Sequence, residues 1–202
     1  MMELAREAGV RRDDPFAGLR RVSPRESELV VPTAAEIDRL IEEVRRVGKA
    51  HSEESADLIE FLAFTGLRIG EARAVEWRDV QGDFLRVRGG EEGTKSGRFR
   101  RVPIGRRVRA LLDRRGGPGA QGGIFGMKSP REALANACRR LGMPHLRVHD
   151  LRHVFATQAA EAGVDIPTLA RWLGHNDGGI LAMKTYGHVR DEHMERMGKL
   201  IG

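Results

Sequence analysis

The chain has 202 residues, 40% of them apolar, which is enough for one good-sized domain with a packed core. Basic residues outnumber acidic ones 35 to 29, and the net charge of +6 favours a polyanionic partner. No apolar run approaches the roughly 18 residues of a membrane span, the polar start MMELAREAGVRRDD is no secretory signal, and the single cysteine, Cys138, cannot form an internal disulfide, which fits a reducing cytoplasm.

Residues 1–31 read as a lead-in. LAREAG resembles a helix end at Gly9, and the stretch that follows is charged and broken by Pro15, Pro24 and Pro32. The folded part begins at Pro32. Thr33 and Glu36 have the spacing of a capping box, and Ile37, Leu40, Ile41 and Val44 follow with helical period. A second helix is expected over 53–65, stopped by Gly66, and a short one from Gly70 to Trp77. The period then shortens to two. Residues 83–89 and 97–104 read as a hairpin, with a third strand near 79–81. Helices return at Val108, Leu111 and Leu112. Another opens at Ser129 with Pro130 at its first position and closes at Gly142. His149–Ala162, closed by Gly163, is a third, and 166–173, 179–187 and 190–200 complete the set. The expected class is mainly α with a small antiparallel β-sheet (α+β). Cys138 reads as a small core residue.

Tyr186 is the only tyrosine in the chain, and it is preceded by a series of scattered basic residues. These are Arg68 in TGLRIGEA, Lys95 in GTKSGR, His149 and Arg152 in HDLRH, and His175 in WLGH. Singly, each passes for a surface, hairpin-tip or helix-end residue. In this order, with the flanks TGLRIGEARAVEWRDV, TKSGRFRRVPI, HDLRHVFATQAAEAGVDIPTLARWLGH and KTYGHV, they resemble the signature of the tyrosine recombinase (phage integrase) family over about residues 32–195.

That resemblance implies a catalytic domain over 32–202, with 1–31 as the end of an N-terminal DNA-binding domain and its linker. It implies a site-specific recombinase that cleaves and rejoins DNA through a 3′-phosphotyrosyl link, with Arg68, Lys95, His149, Arg152, His175 and Tyr186 in the active site. Glu71 matches the acidic position that orients its neighbours. The residue types suit the reaction. Two arginines can fork onto the non-bridging phosphate oxygens and stay charged at any working pH. A phenol with a pKa of about 10 needs a base, for which His149 is the candidate, and Lys95 is the candidate acid for the 5′-oxygen. Charge stabilisation by arginines and His175 needs no metal or other cofactor. The interval from His175 to Tyr186 is longer than the family pattern, with the extra residues in NDGGILA, where Gly178 and Gly179 can absorb them.

The implied partner is double-stranded DNA, gripped by a homo-tetramer on DNA and a monomer off it, in a bacterial or phage-encoded cytoplasmic protein without membrane contact. Residues 190–202 are the candidate docking tail between subunits. Arg98, Arg100, Arg101, Arg106 and Arg107 are candidate phosphate contacts, which position DNA without reading its sequence. GGEEGTKS lacks the glycine a P-loop needs before its lysine. His145, His149 and His153 are spaced by four, but the helix is expected to start only near His149, which leaves His145 out of phase. Two alternatives stand beside the recombinase. AAEAGVDIPTLARWLG resembles a helix-turn-helix of a non-catalytic DNA-binding regulator, and a type IB topoisomerase would nick and reseal with related chemistry.

Overall fold

Thr33 opens the first helix as its spacing requires. Its hydroxyl accepts from the backbone N–H of Glu36, and the Glu36 carboxylate accepts from the backbone N–H of Thr33 at 2.8 Å. The structure is a computed structural model, and it describes residues 31–48, 51–88, 99–117 and 119–174, together with Gly9. Lys95, Arg98, His175, Tyr186 and the expected helices over 179–187 and 190–200 lie outside the described residues. So does the lead-in 1–31, apart from Gly9 and Val31.

Helix α1 (Ala34–Arg46) buries Ile37, Leu40, Ile41 and Val44 along one stripe. That stripe packs on α2 (Ser52–Thr65), which is buried on nearly every side. Helices α3 (Ile69–Ala74), α4 (Arg106–Arg115), α5 (Arg131–Arg140) and α6 (Asp150–Glu161) all touch α2, and α7 (Ile166–Leu173) packs on α6. Among the described residues the sheet has three antiparallel strands in the order β1 (Val80–Gln81), β2 (Phe84–Arg88) and β3 (Phe99–Pro103). Leu85 pairs with Val102 and Val87 with Arg100, and this face turns inward; Phe84, Arg86, Arg88, Phe99 and Arg101 line the other face.

Two local expectations are revised. α3 ends at Ala74 and not at Trp77, because the Val75 carbonyl and the Trp77 N–H are drawn into backbone bonds with Ile124 and Gly122. α5 starts at Arg131 with the buried Pro130 in the capping position, so Ser129 sits one residue too early to cap it. Cys138 is buried in the core, and burial pushes its thiol pKa up.

Much of the positive charge is consumed inside the fold. Asp57 and Glu60 of α2 are almost fully buried. Arg45 reaches them at 2.8 and 2.9 Å, Arg114 reaches Asp57 at 2.7 Å, and Arg115 reaches Asp57 at 3.0 Å. Arg107 donates to Glu60 at 2.7 Å and to Asp38, with its guanidinium 4.2 Å from the centre of the Phe64 ring. These arginines tie α1 and α4 to the central helix.

Gly66 ends α2 with φ +66, and a Cβ there would lie 2.4 Å from Phe155 Cδ1. The left-handed backbone and the clash act together. Gly66→Ala is expected to lower unfolding free energy by about 2–4 kcal/mol, read from urea denaturation. A loss within experimental error would show that α6 does not press on this turn as the structure has it.

Candidate active site

The turn after Gly66 is where the expected site begins. Arg68 precedes α3, and its backbone N–H donates to Glu71 Oε2 at 2.8 Å while its Nη1 donates to Oε1 at 3.2 Å. The Arg68 side chain remains 34% exposed, which leaves it accessible to a ligand. Glu71 is buried. Burial opposes its ionisation, but the Arg100 hydrogen bonds and charge, with the Arg68 N–H, outweigh this and hold its pKa below the ordinary carboxylate value.

Arg152 comes from the first turn of α6 and reaches back to the same place. Its Nη1 donates to the Gly66 carbonyl at 2.8 Å, and its Nη2 donates to the Leu173 carbonyl at the end of α7. Arg152 is 4% exposed. A guanidinium carries five N–H donors in one plane, so two anchored carbonyls fix its orientation. The last carbonyls of a helix also carry the negative end of its dipole, which favours a cation there.

His149 stands at the N-terminal cap of α6, three residues before Arg152. Burial pushes its pKa down and the Arg152 charge pushes it further; Asp150 pulls it up, and Arg68 and Arg147 add smaller downward pushes. The His149 ring lies edge-on to His153 at 5.3 Å between centroids. Asp150 itself is stabilised as a carboxylate: burial disfavours its charge, but Arg147 donates from side chain and backbone and prevails.

A depressed imidazole pKa has two consequences. The folded protein holds His149 neutral at pH 7, in the form that accepts a proton. The unfolded chain takes up that proton near pH 6.5, so the contribution of His149 to stability is complete above that value and falls as pH drops toward its folded pKa. The second-order rate of any reaction with His149 as base is expected to lose activity on the acid side with a midpoint below about 6.5, the unperturbed value. A pH–rate profile with its acid midpoint above that would remove His149 as the base.

The structure thus gathers Arg68, Glu71, His149 and Arg152 around the Gly66 turn, while Lys95, His175 and Tyr186 lie outside the described residues. The helix-turn-helix resemblance corresponds to α6, Gly163 and α7, but the end of α7 is bonded into this same cage by Arg152. Among the described residues no group of three or more His, Cys, Asp and Glu side chains could hold a metal ion. No described helix is long and apolar enough to cross a membrane.

The expected phosphate contacts divide. The Arg100 side chain is 9% exposed and forms a bidentate pair with Glu71. Arg107 donates to Asp38 and Glu60 and lies over the Phe64 ring, with its side chain 35% exposed. Arg101 and Arg106 are exposed, and Arg98 lies outside the described residues. The sequence reading does not single out Arg86 and Arg88. They share the outer sheet face with Arg101, and Arg86 stacks 3.7 Å from the centre of the exposed Phe99 ring. The alternation in FLRVR, with Leu85 and Val87 inward, is the signal that could have found them.

Comparison with known proteins shows the family. Residues 31–193 match the model of the phage integrase family. Tyrosine recombinase XerC of Xanthomonas campestris pv. campestris is 30% identical over 154 residues, covering 69% of this chain and 46% of that protein. The putative integrase of Pseudomonas phage Pf1 is 31% identical over 194 residues, covering 95% of this chain and 55% of that one. The chain therefore spans about half the length of the curated relatives it matches. Among solved structures, the catalytic domain of bacteriophage HP1 integrase is similar with a TM-score of 0.64 and 26% identity, covering 85% of this chain and 95% of that chain. The fold, the Gly66 turn with its two arginines, and the family match over most of the chain place this protein in the phage integrase family of tyrosine recombinases.

Proposed function

We propose that this chain is the catalytic domain of a site-specific DNA recombinase that breaks and rejoins strands through Tyr186. The observation that carries this is that Arg152 reaches from α6 to the Gly66 carbonyl, two residues before Arg68, with His149 at the cap of the same helix. Such a cage suits a phosphodiester. Arg68 and Arg152 hold the non-bridging oxygens, where charge builds in the transition state, with each donor worth roughly 10²–10³ in rate. Tyr186 Oη attacks phosphorus and passes its proton to His149. The bond from phosphorus to the 5′-oxygen breaks, and Lys95 protonates that oxygen, with His175 supporting the phosphate. The phosphotyrosyl link keeps the energy of the broken bond, so a 5′-hydroxyl from another duplex can reverse the step without ATP.

Residues 1–31 are then the end of a DNA-binding domain and its linker, and 32–202 the catalytic domain. The partner is duplex DNA, the exchanging species a homo-tetramer and the free protein a monomer, in a bacterial or phage-infected cytoplasm. Arg101 and Arg106, joined by Arg86 and Arg88, are the outward cations suited to binding phosphate. Replacing Arg86, Arg88 and Arg101 together by alanine is expected to flatten the salt dependence of DNA binding, by about 0.9 in logarithmic slope for each phosphate no longer neutralised. An unchanged slope would take this sheet face away from the DNA.

The decisive experiment uses a pool of short duplexes with a randomised centre and a nick that traps the cleaved strand. Incubation, denaturation and recovery of protein-bound DNA should yield a covalent, protease-sensitive adduct on the peptide containing Tyr186. Reversible binding without any adduct would refute strand cleavage.

A further inference from the structure

The Arg100 side chain is 9% exposed, and it joins three elements. Its Nη1 and Nη2 donate to Glu71 Oε1 and Oε2 at 2.8 and 2.7 Å, and its Nε donates to the Trp172 carbonyl at 2.7 Å. Each Glu71 oxygen is shared: Oε1 also accepts from Arg68 Nη1, and Oε2 from the Arg68 backbone N–H. Arg100 and Arg152 thus hold successive carbonyls, those of Trp172 and Leu173, at the end of α7. The next residue, Gly174, has φ +70, and a Cβ there would stand 3.0 Å from Arg100 Nη1.

We propose that Arg100 is a positioning residue for strand cleavage, which orients Arg68 through Glu71 and keeps the Arg68 charge available to the phosphate. This rests on the recombinase reading above.

Charge explains why a second arginine is needed. Arg68 and Glu71 alone sum to zero, and a carboxylate with no other partner would hold Arg68 as an ion pair and screen it from an incoming phosphate. Adding Arg100 returns the group to a net charge of one. Geometry explains why it is an arginine. The guanidinium fork sets the plane of the carboxylate, and Arg68 takes its own orientation from the same two oxygens. A buried ion pair is by itself weak evidence of stabilisation. What distinguishes this one is that its acid also binds a candidate catalytic arginine, and that its base also anchors the end of α7, from which the chain runs directly to His175.

The test uses the 202-residue chain and a nicked duplex recovered from the randomised pool. The rate of adduct formation at saturating DNA is measured beside duplex affinity over a salt series, for wild type, R100Q, R100K and the double variant E71Q/R100Q. R100Q is expected to cleave about 10²-fold more slowly, with affinity changed less than about threefold and an unchanged salt slope. E71Q/R100Q is expected to recover about tenfold over R100Q and to stay about tenfold below wild type, because a neutral amide no longer competes for Arg68 but the fork that orients it is still missing. R100K, which keeps the charge but not the fork, should fall between wild type and R100Q.

A salt slope lowered by about 0.9 in R100Q would make Arg100 a phosphate ligand and overturn the proposal. Folded R100Q cleaving at the wild-type rate would overturn it as well. If R100Q does not fold, R100K and the double variant decide, and wild-type cleavage by either refutes positioning through this pair. Absence of any wild-type adduct would instead sink the recombinase reading.

Discussion

Tyr186→Phe is expected to abolish covalent capture of DNA while leaving reversible binding intact. The substitution keeps the aromatic ring and removes only the oxygen proposed to attack phosphorus. Tyr186 is the single tyrosine of the chain, so no second phenol can replace it. Adduct should fall by at least about 10⁴-fold, below detection by gel, because nucleophilic catalysis has no other route to a phosphotyrosyl bond. Duplex affinity should stay within about twofold, since a phenol contributes no charge to phosphate binding at neutral pH. Adduct formation persisting in Tyr186→Phe would place the nucleophile elsewhere.

Arg152→Ala is expected to damage both stability and chemistry. The side chain is buried and satisfies the carbonyls of Gly66 and Leu173, which belong to separate elements. Each buried carbonyl left without a donor costs about 1–3 kcal/mol. The variant should therefore lose about 3 kcal/mol or more by urea denaturation. Measured well below its melting temperature, it should also cleave roughly 10²–10³-fold more slowly through loss of a transition-state donor. Arg152→Lys separates the two effects. One ammonium keeps the charge but lacks the planar fork that spans both carbonyls, so cleavage should remain impaired after part of the stability returns. A folded Arg152→Ala variant with wild-type cleavage would remove this residue from the active site.

Arg100 and Arg107 show what one-dimensional reading loses. GRFRRVP reads as a uniformly basic stripe, but β3 alternates, and Arg100 falls on the same face as the buried Val102 while Arg101 falls outside. The period-two rule applied to Arg100 places it inward; nothing in the sequence names Glu71 and the Trp172 carbonyl, 29 and 72 positions away, as its partners. Arg107 escapes sequence reading for a related reason. Its place on α4 is legible, but the acids that hold it, Asp38 and Glu60, come from two other helices. Net charge does not separate arginines that brace helices from arginines that face solvent.

Local determinants are written in the sequence because they act over a few residues: the Thr33–Glu36 capping box, the stop at Gly66, the apolar stripe of α1, the hairpin alternation and the ordered motif around Arg68, His149 and Arg152. Tertiary structure alone decided which carbonyls Arg152 seizes, that Glu71 serves two arginines, and where α3 ends. Those outcomes depend on distances between elements far apart in the chain, and hydrogen bonding and charge pairing are settled by proximity in space, which residue order does not encode by inspection.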